Sequence, residues 1–529
     1  MSFSISAGVY IKETDLSNIV PNVSTTTAAL AGYSTKGDIT QRILVTNTQQ
    51  FINEYGEPVP GSYFHYTALA FLENGNRLYC MRAVNGALYG GVEIKKTTSG
   101  ESNAALATGL STPDFVDDSD SDNLFMVFGK DPGTWNANVG VQITNIDNAE
   151  YTFDIEVYVK DADGNFQLTE TFEVSRISKL DGYGRQMYLE DKINGYSNYI
   201  KVSDGTADSD VLPKAQATTL ALGGGSNGST TTASHINTAW DFFANPDDVD
   251  IRLLLNGGET SVTVQTKLKE IAEARKDCVA ILDMPYSELT SIASQVTWRE
   301  TTQNFNSSYC ALYSPWVNWY DQYNDKLVEL PPSGFVGSQI AYNDYNGQPW
   351  FAPAGLNRGI VQSALGATDV FTEGERDSLY ETQINPIQVF RGDGVVIWGQ
   401  KMEATKPSAL DRLNVRRLLI ILEKSLAASL RYFVFEPNSD LTRFRITGMC
   451  EEYMDYLYAK GAFQSSGEDK GYKVVCDTTN NTPAVIDRNE CIVDVYVKPI
   501  RMAEYIKLNV IVTSTGTDFT ELLAKGISF

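Results

Sequence analysis

The stretch CIVDVYVKPIRMAEYIKLNVIVTS, residues 491–514, contains two segments in which apolar side chains alternate with largely polar ones. The first segment runs from Cys491 to Ile500 and the second from Glu504 to Ser514. Strict alternation over this length predicts a half-buried antiparallel pair of strands with one face on a core. The residues predicted to face that core are Val493, Val495, Val497, Ile506, Leu508, Val510 and Val512.

Two strands alone are only marginally stable in water, so this pair requires covering helices and additional strands. Amphipathic patterns predict the helices just upstream, at Leu410–Phe433 and from Asn438 or Ser439 to Tyr458, the second with a buried stripe that includes Leu441 and Phe444. Another short strand is predicted near the opposite end of the chain, before a polar run without a hairpin turn. Its residues are Gly8, Val9, Tyr10, Ile11, Lys12 and Glu13.

This N-terminal strand has no local partner. Ordering its backbone costs about 1–2 kcal/mol per residue, while each ladder hydrogen bond returns about 0.5–1.5 kcal/mol. These contributions nearly cancel. We therefore expect the strand to persist only against a sheet edge supplied from elsewhere.

Length and charge limit the classes of function. A chain of 529 residues is too long for one core and predicts about three or four domains. The formal charge of −24 argues against a nucleic-acid groove and against an anionic membrane surface. No window approaches the apolar length of a membrane span, and the first residues do not match a signal peptide.

Cysteine and histidine usage gives little support to catalysis or metal binding. The six cysteines are scattered without a CxxC pair, which is typical of buried reduced thiols in a protein folded in the cytosol. Two histidines, His65 and His235, are too few for a multi-histidine site. We expect His65 to pack among aromatic residues and His235 to lie near a helix start. No cofactor or metal is predicted.

The middle of the chain alternates apolar strands with helices, which predicts a doubly wound α/β core layer. Between residues 91 and 222, five segments either alternate apolar and polar residues or are continuously apolar, and they predict an inserted β-rich domain. The predicted division is an N-terminal linking arm at 1–24, a discontinuous core at 25–90 plus 223–400, the outer insertion at 91–222, a C-terminal α+β domain at 401–514 and an extension at 515–529.

Two features leave enzymatic alternatives to weigh. The glycine-rich run Leu222–Gly228 lacks the Lys-Ser/Thr pair of a Walker motif and does not form the GxGxxG fingerprint at a strand–helix turn, so we expect a flexible loop that re-enters the core. Asp283, with Asp321 and Asp325 further along, is compatible with an acidic or metal cluster, although strand-end carboxylates more often cap a helix. An α/β hydrolase-like or nucleotide-dependent enzyme with an accessory β domain remains the alternative function.

Several short motifs occur in a fixed order along the chain. They are DPGTW at 131–135, LPPSG at 330–334, WFAPAG at 350–355, GDGVVIWG at 392–399, NVRR at 414–417 and FEPN at 435–438. Together with the two terminal strand patterns, this series resembles the contractile tail sheath proteins of myophages, phage-tail-like bacteriocins and related injection machines. The residues that carry the resemblance are Pro331, Pro332, Gly334, Trp350, Pro353, Gly392, Trp398, Gly399, Arg416, Arg417, Pro437 and Asn438.

Some of these motif residues have properties that suit a structural role. Pro331 and Pro332 suit a rigid turn into a helix, and Gly334 permits a close approach of another element. Arg416 and Arg417 are compatible with bidentate contacts to carboxylates or helix ends, and equally with a solvated helix face.

The resemblance implies a mechanical function without catalysis. Such a protein is expected to form homo-oligomeric hexameric rings that stack around a tail tube and contract to drive the tube through a cell envelope. The N-terminal arm, tethered by Asp15–Thr27, and the C-terminal segment are expected to add strands to the C-terminal sheets of neighbouring subunits.

The resemblance also implies partners and a location. Beyond other copies of the chain, the expected partners are the tail tube protein and the baseplate and tail terminator proteins, with no nucleic acid and no direct membrane insertion. The expected location is the virion tail, after assembly in the host cytoplasm, with the C-terminal domain at the inner radius.

Overall fold

A computed structural model describes residues 26–59, 61–115, 122–205 and 210–504. The predicted strand at Gly8–Glu13 and the core-facing positions Ile506–Val512 lie outside these ranges. The described strands are β1 (Ala28–Tyr33), β2 (Ile43–Val45), β3 (Leu78–Ala83), β4 (Gly91–Lys95), β5 (Ala104–Ala105), β6 (Asn123–Gly129), β7 (Val139–Asp147), β8 (Thr152–Lys160), β9 (Phe166–Val174), β10 (Ile200–Asp204), β11 (Leu220–Ala221), β12 (Leu253–Leu255), β13 (Val279–Asp283), β14 (Cys310–Ser314), β15 (Val317–Asp321), β16 (Lys326–Leu330), β17 (Gly366–Ala367), β18 (Ile384–Phe390), β19 (Gly394–Ile397), β20 (Tyr472–Val475) and β21 (Asp494–Val497).

The helices are α1 (Thr48–Tyr55), α2 (Tyr63–Leu72), α3 (Leu189–Ile193), α4 (Ala233–Asp241), α5 (Val262–Arg275), α6 (Ile292–Thr297), α7 (Ser333–Asn346), α8 (Glu373–Glu381), α9 (Leu413–Leu430), α10 (Asp440–Ala459) and α11 (Pro483–Ile486). Within the described ranges, no helix combines the length and apolar character needed to cross a membrane.

The largest sheet has eight strands in the order β19-β18-β14-β13-β12-β1-β3-β2. The strands from β18 to β3 run parallel, and β19 and β2 pair antiparallel at the two edges. Leu30 and Leu255 share one core with residues of α1, α2 and α7. Ala29 and Leu254 share a second core with residues of α4 and α5. Both faces of the parallel strands are therefore covered, which explains their continuous apolar runs.

Two parts of this region differ from the sequence expectation. The single helix predicted at Ser287–Thr302 is a 3-10 turn at Tyr286–Glu288, helix α6 and a π-helical turn at Trp298–Gln303. The hairpin of β15 and β16 was not predicted. Its second strand, KLVEL, is largely exposed and carries two charged residues, so it lacks the apolar signal of a buried strand.

The insertion consists of two four-stranded sheets, ordered β10-β6-β4-β5 and β11-β7-β8-β9, around a shared core. The strand predicted at Asn194–Val202 is wrong over its first part, because β10 begins only at Ile200. The Asn194 side chain donates to the Val202 carbonyl at 2.8 Å and accepts from the Val202 amide at 2.8 Å. This side-chain amide replaces a strand partner, so the segment that precedes β10 folds back as a loop.

In the C-terminal region, helices α9 and α10 cover the small sheet of β20 and β21. Ser439 caps α10 by accepting a hydrogen bond from the Thr442 amide. The expected burial of Leu441 and Phe444 is wrong, since they are 60% and 75% exposed. The apolar part of the buried stripe of α10 starts at Ile446, and at 100° per residue both side chains fall on the opposite side of the helix.

Candidate assembly interface

The C-terminal sheet is short and one-sided. Strands β20 and β21 pair antiparallel from Tyr472↔Val497 to Val475↔Asp494, and the sheet has two strands within residues 210–504. Val493, Val495 and Val497 lie half-buried against the core formed by α9 and α10, whereas Tyr496 points to solvent. Because a pair of four-residue strands is marginal by itself, the sheet depends on its covering helices. Within residues 210–504, β20 and β21 pair only with each other.

The sequence did not predict β20 as a partner of β21, because the YKVV sequence of β20 is too short to show alternation. A strand has two edges, so the predicted pairing between Cys491–Ile500 and Glu504–Ser514 stays a prediction. Residues 505–514 lie outside the described ranges. The role of Val493, Val495 and Val497 as subunit-linking positions stays a prediction, as does the role of Gly8–Glu13 and Ile506–Val512.

Two asparagines hold the loop that joins the strands. The Asn481 side chain accepts from the Ile492 amide at 2.7 Å and donates to the Ile492 carbonyl at 2.9 Å. The Asn480 side chain donates to the Val475 carbonyl at 2.8 Å. These amides extend the pairing beyond the end of β20, so the loop is tied to the start of β21.

The FEPN motif connects α9 and α10 to the same sheet. The Asn438 amide donates to the Glu490 carbonyl at 2.9 Å, and its side-chain oxygen accepts from Arg443 at 2.6 Å. Pro437 lies in the turn just before this contact, where its carbonyl accepts from the Ser439 amide. The motif therefore fixes the segment that leads into β21.

Large apolar side chains are exposed around this turn. They lie on the α9–α10 connection and on the first two turns of α10, and we call them the apolar patch: Tyr432, Val434, Phe435, Leu441 and Phe444. Clusters of this kind on a soluble protein mark surfaces that contact another molecule. Phe435 is fully exposed and has a positive φ of 71°, a strained conformation for a bulky residue.

Arg416 and Arg417 of the NVRR motif are buried, so they do not form a solvated helix face. Arg417 binds both carboxylate oxygens of Asp344 on α7, with its Nη1 2.9 Å from Oδ1. Arg416 donates through Nε to the Ser308 carbonyl at 3.1 Å and lies over the Tyr309 ring at 4.2 Å. The bidentate alternative holds for Arg417. Both side chains join α9 to the body.

The LPPSG motif starts α7 against a buried carboxylate. Asp283 accepts from the Ser333 amide at 2.6 Å and from the Ser333 hydroxyl at 2.7 Å. Burial raises the pKa of Asp283 to about 6. Pro331 and Pro332, both buried, form the rigid entry to this helix. The strand-end carboxylate therefore caps a helix that lies fifty residues further along the chain.

The other two aspartates of the possible acidic cluster have separate partners. Asp321 accepts from the Tyr66 hydroxyl at 2.7 Å, and Asp325 accepts from the Tyr320 hydroxyl at 2.5 Å. Across the described ranges, histidine, cysteine and carboxylate side chains form no group of three that could hold a metal ion. The acidic-cluster alternative gains no support from this geometry.

Gly334 permits the closest packing of α7 on α2. A Cβ atom at this position would lie 2.8 Å from the Thr67 carbonyl oxygen. Further along, Trp350 is buried and donates through Nε1 to the Lys460 carbonyl at 3.3 Å, while its own carbonyl accepts from Asn414. Pro353 is buried beside it. These motif residues join the body to both C-terminal helices.

The GDGVVIWG motif forms the hairpin between β18 and β19. Gly392 and Gly394 have φ values of 102° and 85°, which explains glycine at both positions. Trp398 is partly exposed and packs its ring 4.7 Å from that of Phe390. Gly399 leaves room for Asn385, whose oxygen would lie 2.8 Å from an added Cβ.

The glycine-rich run at 222–228 is packed rather than loose. Gly223 and Gly91 exchange backbone hydrogen bonds of 2.8 and 3.0 Å. A Cβ on Gly225 would lie 2.4 Å from the Gly133 carbonyl oxygen. The expectation of a flexible re-entry loop is therefore wrong, because these glycines allow backbones of the insertion and the DPGTW turn to approach closely.

A buried arginine fixes the DPGTW turn to the body. Arg82 on β3 donates through Nη1 to the Pro132 carbonyl at 2.6 Å and to the Gly37 carbonyl at 3.0 Å. Asp131 is buried beside it, and burial raises the pKa of this carboxyl to about 6. The turn thus joins the insertion to the parallel sheet.

The two histidines have structural roles, as the sequence predicts. His65 is buried, contacts the Phe51 and Phe64 rings edge-on, and bonds to Ser62; burial lowers its pKa to about 4. His235 completes a capping box with Thr232 at the start of α4.

The end of the described chain is anchored by an ion pair. Arg412, which precedes α9, contacts Glu504 through Nε at 2.7 Å and through Nη2 at 2.9 Å. Thr27 at the other end is buried, and its carbonyl accepts from the Arg252 amide at 2.7 Å. The tether predicted at Asp15–Thr27 therefore ends before Thr27, whose backbone is part of the sheet packing.

Comparisons with known proteins agree with this arrangement. Residues 229–401 match the phage tail sheath protein central domain, and residues 405–513 match the phage tail sheath C-terminal domain. The tail sheath protein of Enterobacteria phage T4 is 28% identical, with 98% of this chain and 99% of that protein covered. The tail sheath protein of Vibrio phage KVP40 is 32% identical over 54% of this chain and 45% of its own length.

Solved structures show the same fold. A sheath tail protein from Listeria innocua has a TM-score of 0.58 at 12% identity, covering 91% of this chain and 93% of that one. The helical sheath of the anti-feeding prophage in its contracted state has a TM-score of 0.55 at 16% identity, covering 96% and 99%. The family matches together cover more than half of the sequence, which confirms the predicted resemblance: the chain belongs to the phage tail sheath protein family.

Proposed function

We propose that this protein is the structural subunit of a contractile tail sheath, located in the virion tail. Its copies stack as hexameric rings around the tail tube and contract to drive the tube through the target envelope. The observation that carries the proposal is the short C-terminal sheet, whose two strands pair only with each other within residues 210–504. A relative that matches nearly the whole chain is the tail sheath protein of Enterobacteria phage T4.

Strand addition between copies accounts for this sheet. The predicted strand at Gly8–Glu13 has no local partner, and the pattern at Ile506–Val512 follows the Arg412–Glu504 anchor. Added to β20–β21 sheets of neighbouring subunits, these segments supply main-chain hydrogen bonds at their edges. A contact between different surfaces of identical chains propagates a helical assembly and does not close a dimer.

The domain division follows from the same proposal. The sheet covered on both faces is the doubly wound core, built from 25–90 and 223–400, and the insertion at 91–222 lies on the outside. The C-terminal domain at 401–514 lies at the inner radius, towards the tube, with the arm at 1–24 and the extension at 515–529 reaching neighbours. The baseplate and the tail terminator bind the two ends of the sheath.

Contraction draws its energy from contacts between subunit bodies in this proposal, without a nucleotide. The apolar patch at the α9–α10 connection offers surface for such burial. The enzymatic alternative is not favoured by a specific observation. Asp283, its best candidate, is fully occupied as the cap of α7.

Electron microscopy of the purified full chain tests the proposal. We expect tubes or contracted sheaths, and we expect a variant lacking Met1–Asp15 to remain folded by circular dichroism without forming stable tubes. Tyr183→Ser, which changes an exposed tyrosine of the insertion, is the matched control and is expected to assemble. A full chain that remains monomeric, or a truncated chain that assembles as well as the full chain, contradicts the proposal.

A further inference from the structure

Two cysteines meet at the C-terminal sheet. The Sγ atoms of Cys476 and Cys491 lie 3.9 Å apart. Cys476 directly follows β20 and is buried, whereas Cys491 precedes β21 and is exposed to solvent. Cys80, Cys278, Cys310 and Cys450 are all buried. The sequence shows six scattered thiols, and only the fold brings these two together.

Independent contacts hold the two backbone segments near each other. Asn481 contacts the Cys476 sulfur at 3.8 Å, and the same side chain bonds both backbone groups of Ile492. The pairing of Val475 with Asp494 fixes the adjoining strand ends. The sulfurs need to approach by about 2 Å to reach the bonding distance of a disulfide. Side-chain rotation at a strand end provides a movement of this size.

We propose that Cys476 and Cys491 are an oxidisable pair that forms a disulfide between the end of β20 and the start of β21. The oxidant is a low-molecular-weight disulfide such as oxidised glutathione. The Cys491 thiolate attacks one glutathione sulfur and releases one glutathione thiolate. The Cys476 thiolate then attacks the Cys491 sulfur, and the second glutathione leaves. The two protein thiols lose two electrons and two protons, and glutathione disulfide becomes two glutathione thiols.

Exposure sets the order of these steps. The accessible Cys491 meets the oxidant, and the buried Cys476 resolves the mixed disulfide. Burial, with a contribution from the neighbouring Cys491, raises the pKa of Cys476 to about 12. Since the thiolate is the attacking species, the second step is slow at neutral pH and accelerates as the pH rises.

The bond closes the loop that contains Asn480 and Asn481 and ties β21 to its partner by a covalent link. The importance of this covalent link for a sheet that holds subunits together rests on the proposed sheath function. The bond itself does not, because its formation is measured on the unassembled chain. Failure of tube formation and failure of disulfide formation are therefore separate results.

The test uses the full-length protein treated with oxidised glutathione at pH 8, then alkylated under denaturing conditions and weighed by mass spectrometry. We expect wild type to lose two of its six free thiols without a retained glutathione. Trypsin cleaves after Arg488, so the two cysteines lie in different peptides, which should appear joined. The rate at which the mixed disulfide resolves should increase between pH 7 and pH 9.

Three variants identify the pair. Cys476→Ser is expected to retain one glutathione on Cys491, and Cys491→Ser to keep all five of its thiols. Cys450→Ser, which changes the buried cysteine of α10, is the control and should lose two thiols like wild type. Six unreacted thiols in wild type, a stable glutathione adduct on Cys491, or a cross-link to another cysteine would overturn the proposal.

Discussion

Arg417 and Asp344 form a bidentate ion pair whose side chains are only 4% and 2% exposed. Asp344 lies on α7 within the matched central domain, and Arg417 lies on α9 within the matched C-terminal domain. The same guanidinium also donates to the Pro349 carbonyl at 3.1 Å. This buried pair therefore joins the two matched domains within one chain.

Replacing Asp344 by Asn leaves the Arg417 charge buried without a carboxylate. Loss of one partner of a buried pair costs about 3–5 kcal/mol, so we expect a large decrease in the urea midpoint followed by tryptophan fluorescence. The control Arg185→Ala breaks a pair with Asp181 in which the arginine is 74% exposed, and should change the urea midpoint little. If Asp344→Asn lowered the urea midpoint no more than Arg185→Ala does, the buried pair would contribute little to stability.

Replacing Gly334 by Val places carbon atoms against the Thr67 backbone, 2.8 Å from its carbonyl oxygen. Overpacking of this kind costs about 1–3 kcal/mol, and we expect a lower midpoint of thermal unfolding. The control Gly448→Ala lies in the middle of α10 with open space around its Cβ. It should raise stability by about 0.5–1 kcal/mol through helix propensity. A Gly334 variant as stable as wild type would contradict the close α2–α7 packing.

Glu403 makes stability depend on pH. Burial raises its pKa from 4.5 to about 7, and the nearby Arg299 partly opposes this rise. The folded state thus binds the proton more tightly than the unfolded state, so the contribution is fully present below pH 4.5 and is lost as pH rises to about 7. We expect the contribution of Glu403 to wild-type stability to fall by about 3 kcal/mol across this window.

Urea midpoints between pH 5 and pH 8 measure this effect. Glu403→Gln keeps a neutral side chain at every pH, so its stability should depend less on pH, with a residual slope below pH 6 from Asp283 and Asp131. Glu375→Gln, at an exposed capping position whose pKa is lowered by hydrogen bonds to Thr372, is the control and should keep the wild-type slope. A wild-type slope in Glu403→Gln would rule out this residue as the source.

The apolar patch is expected to contribute to assembly and not to folding. Phe435→Ser combined with Phe444→Ser removes two exposed rings, so thermal unfolding of the monomer should change little. Tube formation, counted by electron microscopy, should fall strongly. Tyr345→Ser, which changes an exposed residue of α7, is the control and should assemble normally. Unimpaired tubes from the double variant would remove the patch from the interface.

The insertion is expected to be separable from the body. Gly91 and Gly223 form a hydrogen-bonded pair at its two ends, so replacing residues 92–222 by Asn-Gly should close them as a hairpin. We expect a folded, less stable protein by circular dichroism, since Arg82 loses the Pro132 carbonyl. Removing only residues 124–200 would expose Val92 and Ile94 and should cause aggregation. Global unfolding of the first variant would contradict the predicted domain boundary.

Local patterns predicted the elements whose signals lie within one turn or one strand. The sequence of β9 alternates with a period of two, and α10 begins after Ser439, whose cap needs only a residue three positions away. The continuous apolar runs of β1, β13 and β14 indicated strands buried on both faces. The sequence pattern placed the start of β10 too early, because the Asn194 side chain takes backbone hydrogen bonds that a neighbouring strand would make. The periodicity of a sequence carries no signal for such a contact.

The sequence by itself determined the α/β and β-rich segments, the amphipathic C-terminal helices and the family resemblance, because these depend on spacing along a few residues. Only the tertiary structure decided which distant groups meet. Asp283 caps α7, Arg417 binds Asp344, and Cys476 approaches Cys491. Each contact depends on the path of the chain between its partners, and the local propensities of a single sequence do not specify that path.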